Sequence, residues 1–158
     1  MRLVVQRVRQ AEVRVADRIA GSIARGLLVL LGAEVGDDAA VAEEAARKVA
    51  GLRVFDDPSG KMNLALSEVA GSVLVVSQFT LAADLTRGRR PGFERALPGD
   101  QAEPLYDRFV AALRALGVPV ETGLFGAPME VSLVNEGPAT FILEVAGPKR
   151  APNLKLET

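Results

Sequence analysis

Leu27-Leu28-Val29-Leu30-Leu31 is an unbroken apolar run opened by Gly26, with no polar residue to offer solvent on either side. A run this short suits a strand, and apolar side chains on both of its faces need cover on both. Val73-Leu74-Val75-Val76 has the same strand-like character. The fold must therefore bury part of a sheet between two layers, and the rest of the chain has to supply them.

At 158 residues and 49% hydrophobic content the chain suits one domain, residues 1–158, with a substantial core. An initial strand is expected from Leu3 to Val8. Val13-Arg14-Val15 and Ile19 to Ile23 then alternate around Ala16-Asp17-Arg18 as a hairpin. Val41, Ala45, Val49 and Leu52 fall at helical spacing, which predicts a helix from Asp38 to about Phe55, with Asp37 or Asp38 as its cap. Asp56-Asp57-Pro58-Ser59-Gly60 reads as a tight loop. For a second helix, Asp100 and Glu103 resemble a capping box and Pro104 sits in the first turn. Leu105, Phe109, Leu113 and Leu116 form its apolar face, and Gly117 closes it. Strands return at Val120–Thr122, Met129–Val134 and Thr140–Val145, followed by a tail from Gly147 rich in Pro and Lys. Both helices are expected on one face of a folded sheet.

The chain contains no histidine and no cysteine. That removes Ser-His-Asp and Cys-His nucleophilic machinery, along with imidazole and thiolate metal ligands. No cofactor is expected. A net charge of -1 gives no global attraction to nucleic acid, so any RNA contact has to be local. No apolar run approaches the ~18 residues that span a bilayer, and the opening residues lack a signal-peptide core, so a cytoplasmic location without membrane contact is expected.

Two apolar runs end in polar clusters: Ser77-Gln78-Phe79-Thr80, and Asn135-Glu136-Gly137-Pro138-Ala139-Thr140. Residues at strand ends are where a rigid sheet meets ligands, although polar residues also simply mark where strands surface. Gly137-Pro138 is either an ordinary turn or a cis peptide, because proline cannot donate to a ladder. Between Thr86 and Arg95 lie four arginines, among them Arg87, Arg89 and Arg90. Arginine suits phosphate recognition, and a solvated basic loop is the plainer alternative. No close carboxylate pair accompanies the clusters beyond Glu136 and Asp84, which leaves a two-carboxylate mechanism without support.

Ser77-Gln78-Phe79-Thr80-Leu81, Arg90-Pro91-Gly92-Phe93, Glu121-Thr122-Gly123-Leu124-Phe125-Gly126 and Asn135–Thr140 resemble, in order, the signature segments of the D-aminoacyl-tRNA deacylase (D-tyrosyl-tRNA deacylase) family. The similarity extends from the Met1–Val8 opening nearly to the C-terminus. It implies an α/β fold of three layers, β/β/α, with an antiparallel-rich sheet folded on itself and two main helices on one side. It also implies a homodimer with the active site at the subunit interface and the acceptor end of D-aminoacyl-tRNA as partner.

In that family the segment matching Ser77–Leu81 forms the pocket floor, and the step matching Gly137-Pro138 is cis and enters the pocket from the other subunit. The resemblance assigns catalysis to Ser77, Gln78, Phe79, Thr80 and Thr140, with oxyanion donors at the Phe79 and Thr80 N–H groups. Substrate binding falls to Asn135, Gly137 and Pro138, and the adenine pocket to Phe125 and Met129. Arg87, Arg89 and Arg90 would contact tRNA phosphate. The implied reaction is hydrolysis of the aminoacyl ester, assisted by the RNA's own 2′-hydroxyl, with L-esters rejected by clash and the glycyl ester admitted. Departures from the usual pattern are Glu136, Ala139, Ala82, Gly92 and Pro128. A threonine-nucleophile hydrolase and a non-catalytic RNA-binding module are the competing classes.

Overall fold

The computed structural model describes residues 1–147. The reading of a Pro- and Lys-rich tail lies outside the described residues beyond Gly147. In chain order the elements are β1 (Arg2–Val15), β2 (Arg18–Ile23), β3 (Gly26–Gly32), α1 (Ala39–Gly51), β4 (Phe55–Asp56), β5 (Met62–Leu64), β6 (Ser72–Ser77), α2 (Gly99–Ala115), β7 (Val120–Thr122) and β8 (Glu130–Glu144). The main sheet runs β2-β1-β3-β6-β7, and β8 pairs with the other edge of β1.

β1 organises the sheet. Its first half, Arg2 to Val8, pairs antiparallel with β3, and its second half, Ala11 to Val15, pairs with β2. Along the opposite edge β8 follows both halves. β6 lies parallel to β3, and β7 parallel to β6, so the sheet is mixed. It also curls until its ends meet: a Cβ on Gly21 of β2 would stand 2.5 Å from the Thr122 carbonyl oxygen of β7. Only glycine permits that approach.

The curl explains the unbroken apolar runs. Leu27, Val29 and Leu31 of β3, with Val73 and Val75 of β6, face a core shared with the helices. Leu28, Leu74 and Val76 point the other way, into a second core with Val8, Ala11 and Val13. Successive strand side chains alternate between faces, so a strand serving two cores has no polar position.

Both helices lie on one side, as expected, but their boundaries differ from the periodicity. Asp38 caps α1 by accepting from the Val41 N–H at 3.0 Å. The helix ends at Gly51 and does not reach Phe55, which is buried in the short β4. α2 starts earlier than the Asp100-Glu103 pattern suggests: Pro98 occupies the cap with no side-chain hydrogen bond, and Pro104 stands inside the helix. Its buried face is Ala102, Tyr106, Phe109, Val110 and Leu113, while Leu105 is half-buried and Leu116 is exposed. The residues read as an initial strand and the first arm of a hairpin are one strand, β1, and the two late strand patterns are one strand, β8. Gly117 does close α2, at φ +83°.

Candidate active site

β6 runs buried up to Val76 and surfaces at Ser77. There the chain enters a 3-10 turn, Phe79–Ala82, seated on the end of β3 by a hydrogen bond from the Gln78 N–H to the Leu31 carbonyl at 2.7 Å. A Cβ at Gly32 would lie 2.8 Å from the Gln78 carbonyl oxygen and 3.0 Å from the Leu81 Cβ, so the missing side chain lets the turn settle directly on the strand. Arg2 supports it from β1, donating to the Leu81 carbonyl at 3.3 Å and pairing with Glu144 at 2.7 Å. Phe79 and Thr80 open the turn, where N–H groups have no carbonyl partner within the turn itself. Gln78 Nε2 donates to Thr80 Oγ1 at 2.6 Å, which orients both side chains.

The turn borders a cavity of about 560 Å³. Ser77, Gln78 and Phe79 form one part of its lining, Phe125 and Met129 another, and Phe93, Pro98, Gly99 and Tyr106 a third. The sequence reading had not assigned this last group to the site. The expected face of α2 holds at Phe109 and Leu113 but has Leu105 and Leu116 where the structure buries Ala102, Tyr106 and Val110; the spacing of Tyr106 to Phe109 and Leu113 is the signal for it. Its hydroxyl donates to the Val75 carbonyl at 2.9 Å and its ring packs on Phe125 at a centroid distance of 5.6 Å. Burial pushes the Tyr106 hydroxyl up to about 12.

The second cluster lies elsewhere. Gln6 of β1 is opposite Thr140 and Val8 is opposite Asn135, so Glu136 to Ala139 bulge out where β1 has only Arg7. The Gly137-Pro138 peptide is cis, and both residues are exposed. Three side chains hold the bulge. Arg7 Nε donates to the Glu136 carbonyl at 2.9 Å, Asn135 Nδ2 donates to the carbonyls of Arg7 and Ala139 at 2.9 and 3.2 Å, and Gln6 Nε2 donates to Thr140 Oγ1 at 3.1 Å. Asn135, Gly137, Pro138 and Thr140 do not line the cavity. The structure thus brings Ser77, Gln78, Phe79, Phe125 and Met129 together and leaves the Gly137-Pro138 bulge apart from them.

The arginine loop is the third element. Arg87, Arg89 and Arg90 are exposed, and the loop is closed by reciprocal backbone hydrogen bonds between Asp84 and Gly92, at 2.8 and 2.9 Å. The Thr86 hydroxyl and N–H donate to the Asp84 carboxylate and, with Arg95, hold its pKa below the usual value. Arg95 pairs instead with buried Glu34 at 3.3 Å.

Comparison with known proteins gives these features a context. A family profile described as D-Tyr-tRNA(Tyr) deacylase matches residues 4–144. A D-aminoacyl-tRNA deacylase of Thermomicrobium roseum is 56% identical over 92% of this chain and 95% of its own length. One from Symbiobacterium thermophilum is 57% identical over 91% of this chain and 95% of its own. Among solved structures, one titled c-Myc DNA Unwinding Element Binding Protein superposes with a TM-score of 0.86 at 41% identity, covering 91% of this chain and 98% of that one. A probable eukaryotic D-amino acid tRNA deacylase, at 21% identity and a TM-score of 0.76 over 90% of this chain and 97% of that one, shares the fold. By profile, sequence identity and fold, the chain belongs to the D-Tyr-tRNA(Tyr) deacylase family.

Proposed function

We propose that this family member hydrolyses the ester of D-aminoacyl-tRNA at a site completed by a second copy of itself. The observation that carries the reading is the separation just described. The Ser77–Leu81 turn has a cavity and N–H groups without a carbonyl partner in the turn itself, while the Gly137-Pro138 bulge projects, exposed, from the edge strand of the same chain. β8 also exposes Leu133, Val134 and Ile142, apolar side chains suited to cover by another copy.

In this arrangement the cavity takes the terminal adenosine, with Phe125 and Met129 in its wall. The Gly137 and Pro138 carbonyls of the second copy accept the substrate's α-ammonium, and Asn135 holds their bulge in place. A rigid backbone on the L face rejects L-esters by clash, so discrimination needs no recognition of the side chain, and the glycyl ester passes. The Phe79 and Thr80 N–H groups face the oxygen on which charge develops in the transition state. Ser77, Gln78, Thr80 and Thr140 position substrate and water, and the 2′-hydroxyl of the terminal adenosine activates the water, which suits a chain without imidazole. The substrate places the reaction in the cytoplasm. Among the described residues no helix is long and apolar enough to cross a membrane.

The test is release of amino acid from matched D-tyrosyl-tRNA and L-tyrosyl-tRNA, with and without chelator. Release from the D-ester alone, unchanged by chelator, is expected; release from neither ester overturns the reading. Site sharing is tested by mixing an inactive Gln78 variant with an inactive Gly137 variant. Random reassortment of a two-fold dimer then restores about a quarter of wild-type activity. A second reading, binding of nucleic acid without hydrolysis, draws on the exposed Arg87, Arg89 and Arg90 and on the likeness at 41% identity to a c-Myc DNA Unwinding Element Binding Protein. Salt-dependent binding with release from neither ester would favour it.

A further inference from the structure

We propose that Phe93 and Phe79, with the adjoining arginine loop, form a stacking seat for the unpaired nucleotide that precedes the terminal adenosine. The inference rests on the preceding reading and extends it from the adenosine to the next base. The two rings lie with centroids 5.2 Å apart and planes inclined at 58°. Rings tilted this way do not cover each other face to face, and Phe79 is 58% exposed and Phe93 39% exposed. Both reach the cavity of about 560 Å³ and both open to solvent, so the seat is continuous with the adenosine site. A cavity of that size holds one small-molecule-sized group, which leaves the next nucleotide at the rim.

Charge selects the occupant. Between residues 84 and 95 four arginines face two carboxylates, Asp84 and Glu94, and Thr86 already donates twice to Asp84. Arg87, Arg89 and Arg90 form no ion pair among the described residues. Phe93 follows Gly92 directly, so the Asp84–Gly92 hydrogen bonds that close the loop also fix the ring at the base of the arginine loop. An exposed aromatic face next to unpaired arginines matches the base and the phosphate of a single strand. It matches an apolar surface of a second copy poorly.

The test compares adenosine with a four-nucleotide RNA ending in cytidine-cytidine-adenosine, by direct binding, so that it does not depend on catalysis. Wild type is expected to bind the tetranucleotide more tightly than adenosine. Phe93→Ala should weaken the tetranucleotide about ten-fold and adenosine far less, Phe93→Trp should retain the advantage, and Arg89→Ala should lower the salt slope by about one. A tetranucleotide advantage that is absent in wild type, or untouched by Phe93→Ala, overturns the proposal. So does Phe93→Ala converting a dimer to monomers, which would make the ring an interface residue. If the tetranucleotide binds through Phe93 but no D-ester is hydrolysed, the seat stands and the hydrolase reading fails.

Discussion

Arg7 donates from Nε to the carbonyl of Glu136 at 2.9 Å, so a buried arginine on β1 holds the residue that leads into Gly137-Pro138. The same guanidinium donates to the Val54 carbonyl at 2.8 Å and to Asp56 at 3.1 Å, tying the bulge to the segment that leaves α1. Truncation to Arg7→Ala strands buried carbonyls and should cost about 2–4 kcal/mol. Displacement of the bulge should lower D-tyrosyl-tRNA hydrolysis by roughly ten-fold or more. Urea melts and single-turnover rates measure both; activity within two-fold of wild type would mean that the bulge holds its own position.

Gly32 carries a second prediction. Because a Cβ there would press on the Gln78 carbonyl oxygen and the Leu81 Cβ, Gly32→Ala should push the Phe79–Ala82 turn outward. The overpacking should cost about 1–3 kcal/mol of stability. The rate should fall further than stability requires at a temperature where the variant remains folded. Equal losses in a Gly71→Ala control, whose added Cβ meets Leu66 away from the cavity, would remove the link to the turn.

Tyr106 is the one tyrosine of a chain without tryptophan, so phenolate absorbance reports it alone. Burial favours the neutral hydroxyl, and its folded pKa of about 12 stands above the ordinary 10.0. The associated stability is fully present below pH 10 and is lost as pH rises through 12. At about 1.4 kcal/mol per unit the full effect is about 3 kcal/mol. An absorbance titration should show no phenolate near pH 10 in folded protein, and Tyr106→Phe should flatten the alkaline loss of stability. A midpoint near 10 in the folded chain would contradict the burial of that hydroxyl.

Thr80 separates two mechanisms. As a positioning residue it offers Gln78 a hydrogen-bond acceptor, and Thr80→Ala should cost no more than about ten-fold in rate. A threonine nucleophile would instead lose all turnover. Mass spectrometry of the quenched reaction should find no acyl adduct on the chain.

Much of the architecture was legible because its causes are local. The Leu27–Leu31 and Val73–Val76 runs announced strands buried on both faces, and the spacing of Val41, Ala45 and Val49 announced a helix. The ordered signature segments pointed to the turn at Ser77 and the bulge at Gly137. What was not legible depended on residues far away in the chain. Phe55 leaves the helical pattern because burial beside the sheet outweighs one more helical turn. β1 and β8 run unbroken because each supplies the other's hydrogen bonds over nearly their whole length, which no short window can reveal. Periodicity placed Phe109 and Leu113 correctly on the buried face of α2 but chose Leu105 and Leu116 over Ala102, Tyr106 and Val110, so Tyr106 and its bond to Val75 emerged only when the helix was laid on β6. Side-chain pattern alone marks the main strands, the two helices and the short motifs that carry the family likeness, but not the short β4 and β5. Tertiary structure alone decided that Phe93, Tyr106 and Phe125 meet the Ser77 turn around one cavity while Gly137-Pro138 stands outside it, since pairing register and curl set those distances.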